Sequence, residues 1–200
     1  WKHKEYNFVT GDCPMSTLSV DTIQGKSGDT VDFSGNNNIT MFNVDTQLTI
    51  SSSTASTITY WTEINSQSTY GFKRVGSAVS VSSGVFTVGR LGVYRIYLQL
   101  HIYNQGGSAE ARYFQCDLRF TPNGGSMITG DFSSPLPVLQ SSYTYNTLNR
   151  MMYQNFNHAN DNLVVQVATS SSGNNYVKGG DGSNGYESFL VFEWLAPPVA

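Results

Sequence analysis

The sequence is poor in charged residues. They make up 12% of its 200 positions, against about 25% in an ordinary soluble domain. The formal net charge is −3, so no basic surface is available for nucleic acid. No apolar run approaches the roughly 18 residues that a membrane-spanning helix requires. We therefore expect neither nucleic-acid binding nor membrane insertion.

Cysteine is also scarce, since only Cys13 and Cys116 occur. Two cysteines are too few for a disulfide framework, and their spacing is not that of metal ligands. Alternating residues around Cys116 predict a buried thiol inside a strand. The histidines His3, His101 and His158 likewise lack metal-ligand spacing. The sequence therefore predicts no metal site.

Catalytic patterns are missing as well. Carboxylates are dispersed without an acid/base pair, no Gly-x-Ser-x-Gly elbow occurs, and the Gly-Lys-Ser triplet at 25–27 lacks the upstream glycine of a phosphate loop. The glycine-rich stretch around Asp181 has too few carboxylates for a tight calcium site. Asn38-Ile39-Thr40 fits an N-glycosylation acceptor. We therefore predict a protein without enzyme activity or cofactor. The enzyme that remains as an alternative is a polysaccharide lyase or hydrolase tail domain.

Aromatic and turn-forming residues are abundant: 12 Tyr, 11 Phe and 19 Gly. Apolar residues recur at period two between clusters of Gly, Asn, Ser and Pro, which is the strand pattern. The clearest strand, 92–103, carries five apolar residues that would share one face: Tyr94, Ile96, Leu98, Leu100 and Ile102. Further strands are predicted at 79–81, 85–88, 112–120, 143–153, 163–168 and 188–195. The sequence thus predicts an all-β antiparallel sandwich.

The first 55 residues differ from the rest. They hold very short alternating pieces separated by Gly, Asn and Ser, and strands of three residues cannot build a core alone. The Ser/Thr-rich stretch 51–57 reads as a linker. We therefore predict a short-stranded β stalk at 1–55 and a head domain at 56–200. The alternative is that the first segment adds strands to one larger sandwich.

Residues 60 to 196 resemble, in an ordered set of patterns, the globular-head superfamily of tumour necrosis factor (TNF) and the complement C-one-q proteins. The patterns are Phe86-Thr87-Val88 followed by Gly92-Val93-Tyr94-Arg95-Ile96, then Cys116 to Phe120 before Asn123-Gly124-Gly125, then Asn162 to Val167, then Asn175-Tyr176 and Ser188 to Phe192. The resemblance implies a TNF-like jelly roll that assembles as a homotrimer. The collagen stalk of that superfamily is absent, because no Gly-x-y repeat occurs.

Two sets of site residues follow. Strands 94–103 and 188–195 are apolar or aromatic on both faces, so one face fills the sandwich and the other needs a partner. The predicted trimer-interface residues are Tyr97, Tyr103, Phe189 and Val191. Long loops on a rigid β scaffold usually carry recognition, and polar groups beside a ring suit a sugar or a protein loop. The predicted receptor-binding residues are Tyr103, Asn104, Asn123, Asn174, Asn175, Tyr176, Lys178 and Asp181.

A stalk followed by such a head is typical of a viral or phage fibre or spike. The sequence therefore predicts a homotrimeric head on the virion surface that binds a glycan or protein receptor of the host cell, with avidity from three sites. Two alternatives remain open. One is a secreted cellular ligand or recognition head of the same superfamily. The other is a capsid jelly roll that builds a shell.

Overall fold

The computed structural model describes residues 22–24, 30–32, 38–50, 54–64, 66–67, 72–73, 79–104, 114–123, 125–134, 144–170, 175–180 and 188–199, and within these ranges every regular element is a β-strand. In chain order the strands are β1 (Thr22–Gln24), β2 (Thr30–Asp32), β3 (Ile39–Val44), β4 (Leu48–Thr49), β5 (Ser56–Thr57), β6 (Trp61–Glu63), β7 (Ser66–Gln67), β8 (Phe72–Lys73), β9 (Val79–Ser82), β10 (Val85–Val88), β11 (Gly92–Asn104), β12 (Phe114–Thr121), β13 (Ile128–Ser134), β14 (Thr144–Phe156), β15 (Asn162–Thr169), β16 (Asn175–Val177) and β17 (Phe189–Ala196).

The chain divides into two units, Trp1–Ser34 and Gly35–Ala200. In the first unit, β1 and β2 pair antiparallel, with Ile23 opposite Val31. The second unit holds all the other strands named above, including the short antiparallel pair β7–β8.

Two larger antiparallel sheets form the core of the second unit. In the seven-stranded sheet the order is β4-β16-β11-β17-β3-β6, and β14 pairs with the other edge of β11. In the six-stranded sheet the order is β13-β12-β15-β10-β9, with β5 also paired to β15. The longest pairing joins β11 to β14 from Gly92 opposite Phe156 to Asn104 opposite Thr144. This register fixes which side chains share a face.

Alternation along the strands builds the core. The five residues of β11 predicted to share a face are all buried, and side chains of both sheets meet them. Aromatic rings cross the interior: Phe192 lies 6.1 Å from Phe42, 5.3 Å from Phe86 and 6.4 Å from Tyr94, between ring centroids. Burial of these rings and of the aliphatic side chains around them supplies the main stabilisation of the sandwich.

The predicted boundary near residue 55 is wrong, because β3 and β4 belong to the sheets of the second unit. β3 pairs with β17 and β4 with β16. Phe42, Val44 and Ile50 are buried in the common core. Phe42 and Val44 lie on β3 and Ile50 follows β4, and both strands are held in a sheet whose partners are distant in sequence. Residues 56–57, predicted as part of a linker, form β5.

The predicted strands from residue 79 onward are confirmed, with bounds that differ by a few residues. Ser83 and Gly84 connect β9 to β10 with φ angles of 50° and 80°, the tight turn that matches strand twist. The described part of the predicted 112–120 strand begins at Phe114. Neither β13 nor β16 was among the predicted strands.

The predicted buried thiol at Cys116 is confirmed, and this residue lies in β12. Burial raises the pKa of this thiol strongly, and the adjacent Asp117 carboxylate adds to the rise. The thiol is therefore held neutral and unreactive. Cys13 and His3 lie outside the described residues.

Candidate functional site

The outer face is defined here as the side of β14, β11, β16 and β17 that points away from the core. Because strand side chains alternate, it is lined by the odd-numbered residues of β11 that follow each buried one: Arg95, Tyr97, Gln99, His101 and Tyr103. It differs from an ordinary solvated sheet face in its many rings. Two clusters lie on it, one toward each end of β11.

The first cluster is an apolar groove of about 220 Å³, lined by Arg95, Tyr97, Met151, Val191 and Glu193. Arg95 Nε donates to Glu193 Oε2 at 2.6 Å across one end. Met151, directly opposite Tyr97 in the sheet, is 54% exposed. The groove thus combines an apolar floor with an ion pair at its margin.

Three of the four predicted trimer-interface residues lie at this groove. Tyr97 and Val191 line it, and the ring of Phe189 lies 5.8 Å from that of Tyr97. The Tyr97 hydroxyl donates to Asn149 Oδ1 at 3.0 Å, which fixes the ring on the outer face. The fourth residue, Tyr103, lies on the same face but farther along β11.

The second cluster is the tyrosine stack, formed by Tyr145 of β14, Tyr103 of β11 and Tyr176 of β16. The strand register places Tyr103 opposite both other tyrosines. Its ring centroid lies 5.6 Å from that of Tyr145 and 5.1 Å from that of Tyr176, with interplanar angles of 23° and 28°. Tyr145 stands at the edge of the sheet and is 54% exposed.

Polar and cationic groups surround the tyrosine stack. The Tyr103 hydroxyl donates to Gln47 Oε1. The Lys178 ammonium lies 5.9 Å from the ring centroid of Tyr145, and the His101 ring lies 5.6 Å from the same ring. Burial, with help from neighbouring Tyr176, raises the pKa of Tyr103, so its hydroxyl keeps its proton at neutral pH.

Two predicted receptor-binding residues are instead part of the interior. Asn104 and Asn175 are both buried, and Asn104 Nδ2 donates to Asn175 Oδ1 at 2.9 Å. They are neighbours because β11 pairs with β16. Both side chains lie on the core side of the sheet, so neither is exposed to a receptor in the single chain. Burial also argues against the N-glycosylation site predicted at Asn38, since that side chain is buried.

Asn123 is exposed in the turn after β12, away from the tyrosine stack. A buried carboxylate holds this turn: Asp161 accepts hydrogen bonds from the backbone N–H groups of Asn123, Asn157 and His158 at 2.8, 2.7 and 2.9 Å. Asn160 Nδ2 also donates to Asn123 Oδ1 at 3.0 Å. These hydrogen bonds hold the turn at Asn123 against the turn formed by residues 157–161.

Of the eight predicted receptor-binding residues, the structure brings together Tyr103, Tyr176 and Lys178. Asn174 and Asp181 lie outside the described residues. The sequence interpretation missed Tyr145 and Gln47, although the period-two pattern of 143–153 carried a signal for Tyr145. Gln47 carried none, because its segment was assigned to a stalk.

Over the described ranges no group of three or more His, Cys, Asp and Glu side chains is placed to hold a metal ion. The same residues contain no helix that is long and apolar enough to cross a membrane.

The two stacked antiparallel sheets define a TNF-like jelly-roll head, as the resemblance in the sequence implied. Eiger TNF from S. frugiperda matches with a TM-score of 0.55 at 14% identity, over 82% of this chain and 96% of that chain. Murine APRIL matches with a TM-score of 0.52 at 14% identity at pH 8.0 and 0.54 at 13% at pH 5.0, over 80% of this chain and 99% of that chain. At such identities the likeness is one of fold. No family model and no curated protein sequence matches.

Proposed function

We propose that three copies of this chain assemble through the groove end of the outer face, and that the trimer is the attachment head of a viral or phage fibre or spike. The observation that carries the proposal is the concentration of apolar surface at one place. Met151 and Tyr153, which are 54% and 59% exposed, lie on β14 beside the groove. Contiguous apolar surface of this kind marks protein contacts.

The composition supports the same role. A chain with 12% charged residues has few charges with which to attract unrelated partners. A receptor is then recognised by shaped polar and aromatic groups, and a rigid trimer presents three such sites at once. Three weak sites held together bind more tightly than one without any new contact. The head would lie on the virion surface, and the receptor would be a glycan or a protein of the host cell.

The N-terminal unit, Trp1–Ser34, fits a stalk in this proposal. Its described strands β1 and β2 have three residues each, and strands of that length cannot build a core alone. Three intertwined chains would satisfy one another's backbone groups. The segment 39–50 is excluded from such a stalk because it lies in the head sheet.

A test of assembly is light scattering coupled to size-exclusion chromatography. We expect a mass three times the 22.0 kDa of one chain. Met151→Arg should reduce it to that of a single chain, because a solvated charge on an exposed position becomes a buried one at the interface. Met127→Arg is the matched control, since Met127 is 45% exposed but lies in the turn region after β12. A single-chain mass for the unmodified protein would refute the trimer.

A second test addresses attachment. Fluorescently labelled protein should bind intact cells of one host type, and the single-chain Met151→Arg variant should bind far more weakly because avidity is lost. Equal binding by both forms would refute multivalent attachment.

The likeness to Eiger TNF favours one other candidate, an extracellular TNF-like ligand of animal cells. The type of cell that the protein binds, and the response of that cell, separate the two roles. Saturable binding confined to bacterial cells supports a phage head, whereas binding that triggers a signalling response in animal cells supports the ligand.

A further inference from the structure

We propose that the tyrosine stack of each chain binds an acidic saccharide, one that carries a carboxylate or sulfate group. The inference deepens the proposed function, on which it rests for its biological meaning: the saccharide would be the receptor's recognised part. The site itself is contained in one chain.

The stack provides a pre-oriented apolar surface. Tyr103 is held between two rings by cross-strand pairing, and Tyr145 ends the row with half of its surface exposed. A stacked ring on a paired strand has few other orientations, so little conformational entropy is lost when a ligand packs against it. Tyrosine offers an apolar face and a polar hydroxyl together, which matches the C–H and hydroxyl surfaces of a sugar.

Hydrogen-bonding groups border this surface. The Gln47 side-chain oxygen accepts a hydrogen bond from the Tyr103 hydroxyl. Thr147 Oγ1 lies 3.3 Å from His101 Nδ1, on the strand position two residues from Tyr145. Binding sites for small molecules combine aromatic walls with a few such polar groups. Amides and hydroxyls are suited to the many hydroxyls of a saccharide.

Charge decides which saccharide fits. The Lys178 ammonium lies over the Tyr145 ring, and His101 is beside it. The ammonium group of Lys178 and the imidazole of His101 are both cationic when protonated. An ammonium next to a partly buried ring favours a carboxylate or sulfate, since hydrogen bonds between ionised partners are the stronger ones.

The site is separate from the groove. Tyr97 and Tyr103 are six residues apart on one strand, or about 20 Å at the rise of a β-strand. A trimer formed at the groove can therefore bind a saccharide at the stack of each chain. This separation also assigns Tyr103, predicted for both roles, to ligand binding.

The experiment is a saturation-transfer NMR titration of the full chain with three probes: sialyllactose, lactose and a heparin-derived tetrasaccharide. We expect an acidic probe to bind at least about tenfold more tightly than lactose. Sialyllactose binding alone identifies a carboxylate sugar, and heparin-fragment binding alone identifies a sulfated one. Equal affinity for lactose, no binding of either acidic probe, or competition of an acidic peptide for the site with higher affinity overturns the proposal.

Two variants locate the site. Tyr145→Ala and Lys178→Ala should each weaken binding of the acidic probe about tenfold, because one removes the ring face and the other the charge. Tyr60→Ala is the matched control, since Tyr60 is 46% exposed but belongs neither to the tyrosine stack nor to the residues that line the groove. It should retain the affinity per site. Unchanged binding by Tyr145→Ala overturns the proposal.

Light scattering on the same samples separates this proposal from the trimer. Saccharide binding by a protein of single-chain mass would support the stack site and refute the trimeric head. A trimer that binds no acidic probe would do the reverse.

Discussion

The two faces of β11 show how one strand serves two different surroundings. Between Tyr94 and Tyr103, the inward residues are buried and, apart from Tyr94, aliphatic. The outward residues of the same stretch are aromatic or polar and are engaged individually: Arg95 with Glu193, Tyr97 with Asn149, and Tyr103 with Gln47. Inside, shape complementarity organises the side chains, whereas outside, hydrogen bonds and ring stacking do so.

This difference explains why counting the apolar residues of a strand does not identify which of its faces lies in the core. Tyr occurs on both faces of β11 and Phe on both faces of β17, yet only one face of each strand is close-packed with the opposite sheet. An aromatic face whose polar tips are already bonded remains ordered without a cover. It is suited to contact a second copy at one end and a ligand at the other.

The largest expected effect contrasts two phenylalanines of β17. Phe192 lies among Phe42, Phe86 and Tyr94, so Phe192→Ala should lower the free energy of unfolding by about 3–5 kcal/mol. Phe189 is on the outer face, and Phe189→Ala should cost much less, on the order of 1 kcal/mol in the dissociated chain. Urea unfolding followed by tryptophan fluorescence measures both. Equal losses would contradict the assignment of the two faces.

A smaller effect is expected at the buried amide pair. Asn175→Ala removes the acceptor of the 2.9 Å bond from Asn104 and should cost about 1–3 kcal/mol. Asn123→Ala, at an exposed turn, should change the free energy of unfolding by no more than about 0.5 kcal/mol. Thermal unfolding compares the two variants. If the Asn175→Ala protein kept its stability but bound the receptor more weakly, Asn175 would belong to the binding site despite its burial.

Local alternation was enough to predict most of the sandwich. The residues of β11, from Tyr94 to Ile102, follow period two without interruption, and Cys116 sits within a similar run. The segment 39–50 shows where local reasoning fails. Phe42 and Val44 belong to a strand stabilised by β17, and no pattern within the segment reveals a partner almost 150 positions later, roughly three quarters of the chain away.

The site was predicted only in part for a related reason. Tyr103, Tyr176 and Lys178 were selected because a ring and polar groups lie near each other in sequence. Their meeting with Tyr145 depends on the β11–β14 register, which sequence does not fix. Asn104 and Asn175 were misassigned because turn-like composition hid the short strand β16.

An effect of about 1 kcal/mol is expected at Tyr94, whose hydroxyl is a polar group on the inward face of β11. Its hydroxyl donates to the Arg90 carbonyl at 2.7 Å, and Tyr94→Phe removes that bond. Burial raises the pKa of Tyr94 to about 12. The folded state therefore holds this proton more tightly than the unfolded state, whose phenol titrates near 10. This contribution to stability is complete below pH 10 and is lost as the pH rises toward 12.

The pH dependence of unfolding checks this prediction. The wild type should lose more stability than Tyr94→Phe between pH 10 and 12, measured by urea unfolding at each pH. Cys116 and Tyr103, whose pKa values are also raised, act equally in both proteins, so the difference isolates Tyr94. Parallel curves would show that the phenol is hydrated in the folded state.

The smallest effect is expected at the ion pair beside the groove. Arg95 and Glu193 are 45% and 28% exposed in the single chain, so solvent screens their attraction. A double-mutant cycle with Arg95→Met and Glu193→Gln, measured on dissociated chains, should give a coupling of about 0.2–1 kcal/mol that falls with added salt. In the trimer the same pair would be desolvated, and the loss of one partner would cost more. A coupling that is equal in the two states would place the ion pair outside the contact between copies, and the interface would then lie beyond this margin of the groove.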